Sequence, residues 1–205
     1  MSATNKVVSL LPRSFYEHSP EVTAKNLLGK VLVRDYQGQR LSGRIVETEA
    51  YFGLDDPAAH ASAGRTPRNA VLFGLPGVAY VYFIYGMYYC LNVSCEPEGQ
   101  AGCVLIRAIE PLDGTEIMAK LRHLPSVAKS RLLASGPGRL CQALDITRSS
   151  HNGVDVTSTS SDLRIEDDGY QPEELMVTPR VGIRHAKDRL ARFLIPGNPY
   201  ISRKF

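Results

Sequence analysis

The stretch Tyr80-Val81-Tyr82-Phe83-Ile84-Tyr85-Gly86-Met87-Tyr88-Tyr89 holds five of the ten tyrosines in a chain that has no tryptophan. Its residues alternate, favour β-structure and are interrupted by a single glycine. The stretch therefore predicts a β-hairpin that bends near Tyr85-Gly86. Because the strands of a hairpin do not easily bury its own tip, Tyr85 is expected to be available to a partner.

The aromatic residues of this hairpin allow two interpretations. Aromatic side chains in strands usually pack into the core of a sheet, which is the simpler interpretation for Tyr80, Phe83 and Tyr88. In proteins that bind nucleic acids, exposed aromatic side chains serve as intercalating wedges and stacking platforms. A tyrosine at a tip, beside a glycine, fits the second interpretation better.

The rest of the chain predicts the other elements by local patterns. Helices are expected from Ser19-Pro20 to Gly29 and over residues 115–124, 137–144 and 185–190, and strands over residues 30–36, 40–49, 103–109, 176–181 and 192–195. No repeat or flexible linker divides the chain. We therefore expect a single α+β domain over residues 1–205, with a curved, mainly antiparallel β-sheet, surrounding helices and a protruding β-hairpin. Residues 1–9 are expected to form a disordered tail.

Composition limits the class of protein. The chain has 205 residues, of which 43% are hydrophobic and 22% charged, a composition typical of a globular domain with a real core. It has no apolar run long enough to span a membrane and no secretory signal, so we expect a cytoplasmic protein, associated with the nucleoid if bacterial. The four cysteines lack metal-site spacing and are predicted to be free and buried, and no metal or cofactor is expected.

The basic residues favour an anionic partner. Of the 24 lysines and arginines, 17 are arginines, which bind phosphate in a bidentate manner and stack on flat groups. The pI of about 8.7 is below the strongly basic balance of a protein that coats DNA. Arg65 and Arg68 lie in a turn that could hold phosphate or face solvent. Gly138 and Arg139 lie at a predicted helix start, where free N–H groups could bind a phosphate.

A pair of carboxylates carries the strongest chemical signal. In an extended backbone, Glu47, Glu49 and Tyr51 point to the same face. Such a face could activate a water molecule, or it could be an ordinary solvated strand face. The spacing alone does not say which glutamate would act. His60, in the loop that follows, adds little by itself.

Five strings together resemble one known family. RIVETEAY, TPRN, YVYFIYGMYYCLNVS, VLIRAIEP and GPGRLCQAL occur in the order found in the alkyladenine (3-methyladenine) DNA glycosylases, and the resemblance covers roughly residues 10–200. The chain resembles a compact, bacterial-type member. The resemblance implies a base-excision-repair enzyme that flips damaged purines out of double-stranded DNA, among them 3-methyladenine, 7-methylguanine, hypoxanthine and ethenoadenine. It also implies hydrolysis of the N-glycosidic bond, which leaves an abasic site.

The resemblance also implies roles for residues that hold the flipped nucleotide. Tyr85 matches the residue that enters the minor groove and fills the gap left by that nucleotide. The pocket that sandwiches the base would be formed by Tyr51, His60 and Tyr82. Asn92 matches the residue that disfavours normal guanine through its exocyclic amine.

The same resemblance implies the groups that perform hydrolysis. Glu49 matches the general base that takes a proton from the attacking water. Arg107 and the backbone carbonyl of Val181 match groups that help to hold that water or the adjoining backbone. Glu47 matches no functional residue and is expected to be structural. One activated water and no evident amine nucleophile predict a monofunctional enzyme, acting as a monomer.

Two other classes remain open on the sequence alone. The first is a non-catalytic protein that binds distorted nucleic acid and uses the same hairpin. The second is a carbohydrate hydrolase with Glu47 and Glu49 as its acid and base. The second class fits poorly, because such carboxyls must lie on opposite sides of the bond, several ångströms apart.

Overall fold

The computed structural model describes residues 8–125 and 131–203. The nine strands of this part of the chain are β1 (Ser9–Leu10), β2 (Val31–Tyr36), β3 (Gln39–Phe52), β4 (Ala79–Ile84), β5 (Tyr88–Cys95), β6 (Gly102–Pro111), β7 (Leu163–Asp167), β8 (Met176–Pro179) and β9 (Leu190–Leu194). The four α-helices are α1 (Pro20–Leu27), α2 (Thr115–Leu121), α3 (Pro137–Ala143) and α4 (Arg148–His151). Short 3-10 helices cover Arg13–Tyr16, Gly53–Asp55 and Ala70–Phe73.

The strands form one open sheet, and all the strand pairs are antiparallel in the part of the chain that the structure describes. The order is β1-β7-β2-β3-β6-β5-β4, with β9 on the second half of β3 and β8 on β9. The predicted α+β class with a mainly antiparallel sheet is therefore confirmed. The hairpin is confirmed too, because β4 and β5 pair up to Ile84 and Tyr88 and leave Tyr85-Gly86 at the tip.

Strand β3 is the longest strand and positions the candidate site. It pairs with β6 along most of its length, but its other edge changes partner from β2 to β9. The change of partner coincides with a shift of register against β6 around Glu47. Such an irregularity bends a strand and re-aims its side chains. The two glutamates of the RIVETEAY string thus lie where three strands meet.

The helix signals of the sequence were mostly correct. Ser19 caps α1 through a 3.4 Å hydrogen bond from the Val22 N–H, and Pro20 occupies the first turn. The predicted helix at residues 185–190 is wrong. Ala186 has a positive φ of 48° and the Arg189 N–H bonds back to its carbonyl, so this segment forms a turn.

Two further elements were missed by the sequence patterns. The polar segment from Thr147 has no helical period in its sequence but contains α4, whose first turn is capped by the Thr147 side chain. Strand β7 was not predicted, because charged residues interrupt its apolar positions. The expected tail over residues 1–9 falls mostly outside the described residues, but Ser9 of β1 pairs with Asp167 of β7.

The core lies between the sheet and the helices. A second, smaller cluster consists of Ala61, Leu72, Tyr80, Ala101 and Cys103, and it supports the aromatic residues of the candidate site. All four cysteines are buried and free, as predicted. In residues 8–125 and 131–203, no helix has the length and apolar character needed to cross a membrane.

Candidate active site

The carboxylate of Glu49 is fully buried and held by three donors. Its Oε1 accepts the Val181 N–H at 2.7 Å and lies 3.2 Å from Nη1 of Arg107. Its Oε2 accepts the Tyr51 hydroxyl at 2.9 Å. An ionised carboxylate offers about four acceptor positions, so these donors leave one position for a further donor such as water.

The backbone of Val181 also contacts Glu49 directly, through its amide. The role that the resemblance implies for the Val181 carbonyl, which is to help hold the attacking water or the adjoining backbone, stays a prediction. Val181 follows shortly after β8, in a segment that approaches the end of β3. The amide therefore fixes the orientation of the Glu49 carboxylate.

Glu47 has a different environment although it lies on the same face. It is fully buried, and its Oε1 accepts Nε of Arg107 at 2.8 Å, Nε of Arg192 at 2.7 Å and the Ser202 hydroxyl at 2.7 Å. Its Oε2 accepts the Ser202 N–H. Burial opposes ionisation, but Arg107, Ser202 and Arg192 outweigh it and hold the pKa of Glu47 below its ordinary value. Four protein donors, three on Oε1 and one on Oε2, thus surround this carboxylate.

A cavity of about 540 Å³ opens in front of Glu49. Its walls include Tyr51, His60 and Tyr82, and also Arg107 and Val181. Glu49 itself does not line the cavity but lies directly behind it, in contact with three of its wall residues. The structure therefore brings together, around one cavity, the residues that the resemblance assigned to the base pocket and to hydrolysis.

The aromatic walls are fixed by contacts among themselves. The His60 and Tyr82 rings meet edge to face with centroids 4.4 Å apart, and Nδ1 of His60 lies 3.0 Å from the Tyr80 hydroxyl. Burial and the nearby charge of Arg68 lower the pKa of His60, so its imidazole is neutral at neutral pH. Burial, followed by the charge of Glu49, raises the pKa of Tyr51, which therefore keeps its proton.

Asn92 lies on β5 at the back of the cavity and is buried. Its Nδ2 donates to the Tyr80 carbonyl at 3.2 Å, and its Oδ1 accepts the thiol of Cys103 at 4.0 Å. These two contacts fix which end of the amide faces which neighbour. The side chain is therefore a rigid part of the wall.

Tyr85 lies at the mouth of the cavity and is 76% exposed. It has a φ of 54°, and Gly86 follows with a φ of 69°, so both residues of the bend adopt the left-handed region. This conformation is characteristic of tight hairpin turns. An aromatic residue that accepts it and remains uncovered by its own protein is available to a partner.

The four residues predicted to contact phosphate differ in their exposure and in their hydrogen bonds. Arg65 and Arg68 are exposed on a loop that Asn69 fixes through bonds to the carbonyls of His60 and Gly64. Nη1 of Arg139 donates to the Ser135 carbonyl and hydroxyl, both at 3.3 Å. Gly138 lines the cavity, and a Cβ at this position would lie 3.0 Å from the Tyr88 ring.

A buried ion pair beside the site was missed by the sequence reasoning. Asp56 and Arg180 are both buried, and Nη2 of Arg180 donates to Oδ1 of Asp56 at 2.8 Å while Nη1 bonds to Oδ2. The guanidinium lies over the Tyr51 ring, 4.7 Å from its centroid. The residues are 124 positions apart, so no local pattern could have paired them. Residues Arg184 and His185 also line the cavity and were not predicted.

The polar groups that line the cavity include the guanidinium of Arg107 and the hydroxyls, amide and imidazole of the walls, and the carboxylate of Glu49 lies directly behind them. The described residues contain no group of three or more His, Cys, Asp or Glu side chains that could hold a metal ion.

Comparisons with known proteins agree on one family. The model of the methylpurine-DNA glycosylases matches residues 14–199. Three relatives are each named "Putative 3-methyladenine DNA glycosylase". The protein of Koribacter versatilis is 55% identical over 194 residues, which are 95% of this chain and 93% of the relative. The protein of Methanocella arvoryzae is 48% identical, covering 95% and 96%, and that of Clostridium tetani 47% identical, covering 95% and 99%.

Proposed function

The chain belongs to the methylpurine-DNA glycosylase family, and we propose that it flips alkylated and deaminated purines out of duplex DNA and hydrolyses their N-glycosidic bonds. It is a DNA glycosylase of base excision repair, of the 3-methyladenine class. The proposed substrates are 3-methyladenine, 7-methylguanine, hypoxanthine and ethenoadenine, and the product is an abasic site. We further propose that the enzyme is monofunctional and acts as a monomer on the chromosome.

The observation that carries the proposal is the position of Glu49. Its carboxylate is buried behind an aromatic cavity and retains one acceptor position, beside a hairpin that offers an exposed tyrosine. A water bound at that position would donate one proton to Glu49 while its oxygen bonds to C1′. As that bond forms, the glycosidic bond breaks, and its electron pair leaves with the base. The negative charge of Glu49 also stabilises the oxocarbenium character that develops on the sugar.

The walls of the cavity account for the proposed breadth of substrates. Stacking on Tyr51, His60 and Tyr82 is worth about 1–3 kcal/mol per base and does not depend on sequence. Because His60 is neutral, it does not repel a base that carries a positive charge. A cationic base leaves without protonation, whereas a neutral base such as hypoxanthine is a poorer leaving group. The amide of Asn92 would disfavour guanine through its exocyclic amine, and 7-methylguanine would still be released because its charged base leaves readily.

The two rival classes are disfavoured by specific residues. A carbohydrate hydrolase needs two carboxyls with the sugar between them, but Glu47 is fully buried and accepts hydrogen bonds from two arginines and Ser202. A non-catalytic binder would have no use for a buried carboxylate beside its pocket.

Release of free base decides between glycosylase and binder. The protein is incubated with duplex DNA that has been treated with a methylating agent, and released bases are separated by chromatography. We expect free 3-methyladenine and 7-methylguanine, together with strand breaks that appear only after alkali. Binding without release would contradict the proposal, and breaks without alkali would contradict the monofunctional assignment alone.

Tyr85→Ser is expected to weaken base excision without weakening the fold. Loss of one stacking aromatic costs about 1–3 kcal/mol, or roughly ten- to a hundred-fold in the flipping equilibrium. The melting temperature should barely change, since the side chain is 76% exposed. Thermal unfolding and single-turnover excision on the same variant measure both effects. Tyr85→Phe keeps the ring and should resemble the wild type; a clear drop in melting temperature with excision preserved would exclude intercalation.

DNA binding is expected to be sensitive to salt and indifferent to sequence context. The slope of log K against log salt should change by roughly 0.9 for each phosphate that the protein no longer neutralises. Arg65→Ala and Arg68→Ala should each reduce the slope, and Arg65→Ala is the cleaner test because Arg68 also acts on His60. Lys25→Ala is the control of equal charge, since Lys25 already pairs with Glu21 at 2.7 Å. Equal slopes in all these proteins would exclude phosphate binding by this loop.

A further inference from the structure

The Tyr51 ring separates the cavity from a buried cation. Tyr51 lines the cavity, while the Arg180 side chain is fully buried and takes no part in the lining. The guanidinium carbon of Arg180 lies 4.7 Å from the centroid of the ring. A cation this close interacts with the π-system, which presents negative charge at its face. The Tyr51 ring therefore has a guanidinium behind it and, in the proposed complex, a damaged base in front of it.

Asp56 neutralises this guanidinium. Both carboxylate oxygens bind Arg180, and they also accept the N–H groups of Phe52 at 3.2 Å and Ala58 at 3.1 Å. Burial opposes ionisation of Asp56, but the bonds from Arg180 and the backbone outweigh it and hold the pKa of the carboxyl below its ordinary value. The pair behind Tyr51 is therefore ionised and has no net charge.

The charge state of this pair matters because of its surroundings. Solvent screens the charge of an exposed residue at the cavity, such as Arg184, but it screens a fully buried charge much less. Without the negative charge of Asp56, Arg180 would repel a cationic base on the other face of the Tyr51 ring. It would also polarise the ring towards itself and so weaken the cation–π interaction of that base. It would have little effect on a neutral base of the same shape.

We propose that Asp56 is a specificity-determining residue, which lets the cavity accept positively charged alkylpurines by neutralising Arg180 behind Tyr51. The inference rests on the proposed function, because it takes the flipped base to stack on Tyr51. Arg180 has a positioning role in the same arrangement, since it bonds to the Ala50 carbonyl at 3.0 Å and precedes Val181, the amide donor to Glu49.

The test compares two lesions that differ in charge and hardly in shape. One duplex carries 7-methylguanine, which is cationic, and the other carries 7-methyl-7-deazaguanine, which is neutral. Both are built on a 2′-fluoro sugar that prevents excision. The dissociation constants of the two duplexes are measured with each protein, and their ratio is compared. Because both constants come from the same preparation, partial loss of folded protein cancels in the ratio.

For Asp56→Asn we expect the dissociation constant of the cationic lesion to rise about ten-fold relative to that of the neutral lesion, the effect of losing one buried negative charge at roughly 12 Å with an effective dielectric constant near 20. Arg180→Met removes the guanidinium. The ratio of the two dissociation constants should then stay at the wild-type value, or the cationic lesion should bind relatively more tightly. The double variant Asp56→Asn/Arg180→Met should return to the wild-type ratio. A merely structural role would weaken binding of both lesions alike.

The inference is overturned if Asp56→Asn leaves the ratio unchanged, or if Arg180→Met moves it against the cationic lesion. The second arm keeps the test decisive should Asp56→Asn fail to fold. The proposed function fails in a different way: the wild-type protein would then bind both lesion duplexes no better than undamaged DNA.

Discussion

Glu49→Gln is expected to abolish base excision while leaving the binding of abasic-site and lesion DNA largely intact. Glutamine has nearly the shape of glutamate and can still accept the Val181 N–H, so the pocket walls should remain in place. It cannot take a proton from water, however, and loss of a general base typically costs about 10²–10⁴-fold. The loss is larger if the same carboxylate stabilises the oxocarbenium charge. Single-turnover excision of hypoxanthine and titration with abasic-site DNA measure the two properties.

The outcome that would contradict this prediction is hypoxanthine excision by the variant at a rate near that of the wild type. Tyr51→Phe is a useful companion, because it removes only the hydroxyl that donates to Oε2 of Glu49 at 2.9 Å. It should lower the rate much less than Glu49→Gln, since the base itself is retained.

Glu47→Gln is expected to have the opposite pattern, with a large loss of stability and a mild effect on excision per folded molecule. The change leaves the guanidinium groups of Arg107 and Arg192 without one buried negative charge that both contact. Removing one partner from a buried ion pair costs about 3–5 kcal/mol of the free energy of unfolding. Arg107 retains Glu49 as a partner, so its loosening should reduce excision only modestly.

Chemical denaturation with urea measures the loss, and Glu110→Gln is the matched control. Glu110 is only partly buried on β6, so its replacement should change the free energy of unfolding by no more than about 0.5 kcal/mol. The pKa of Glu47 lies below its ordinary value, so its stabilisation is complete above pH 4.5 and is lost as the pH falls further. The variant should lack that part of the acid dependence. Equal stability of the two variants would show that the Glu47 network is not essential.

Local patterns predicted the elements that depend on local physics. The hairpin follows from alternation around Gly86, and α1 follows from Ser19 and Pro20, whose backbone preferences act within one turn. Strand β7 and the turn at residues 185–190 depend on distant partners. Leu163 and Ile165 become strand residues because β2 supplies their hydrogen bonds, and no pattern within the segment reveals this.

In the candidate site too, some features follow from the local sequence and others depend on distant residues. Same-face geometry of Glu47, Glu49 and Tyr51 could be predicted from the period of a strand. The different environments of the two glutamates could not be predicted. Arg192 and Ser202, which donate hydrogen bonds to Glu47, lie 145 and 155 positions away from it. Sequence spacing therefore predicted which side chains cluster. Only tertiary contacts distinguish Glu49, which touches the wall residues of the cavity, from Glu47, which bonds to Arg192 and Ser202.

The bonds between Ser202 and Glu47 have a consequence for how the molecule is made. A ribosome adds Glu47 early, but the donors that complete its environment are synthesised 155 residues later. Until then Arg107 and Glu47 can contact each other, but their bonds to Ser202 are missing. Domains generally fold as units once their chain has emerged. We therefore expect stalled or truncated translation products that lack Ser202 to miss the donors that complete the environment of Glu47, and to be poor enzymes even when they are compact.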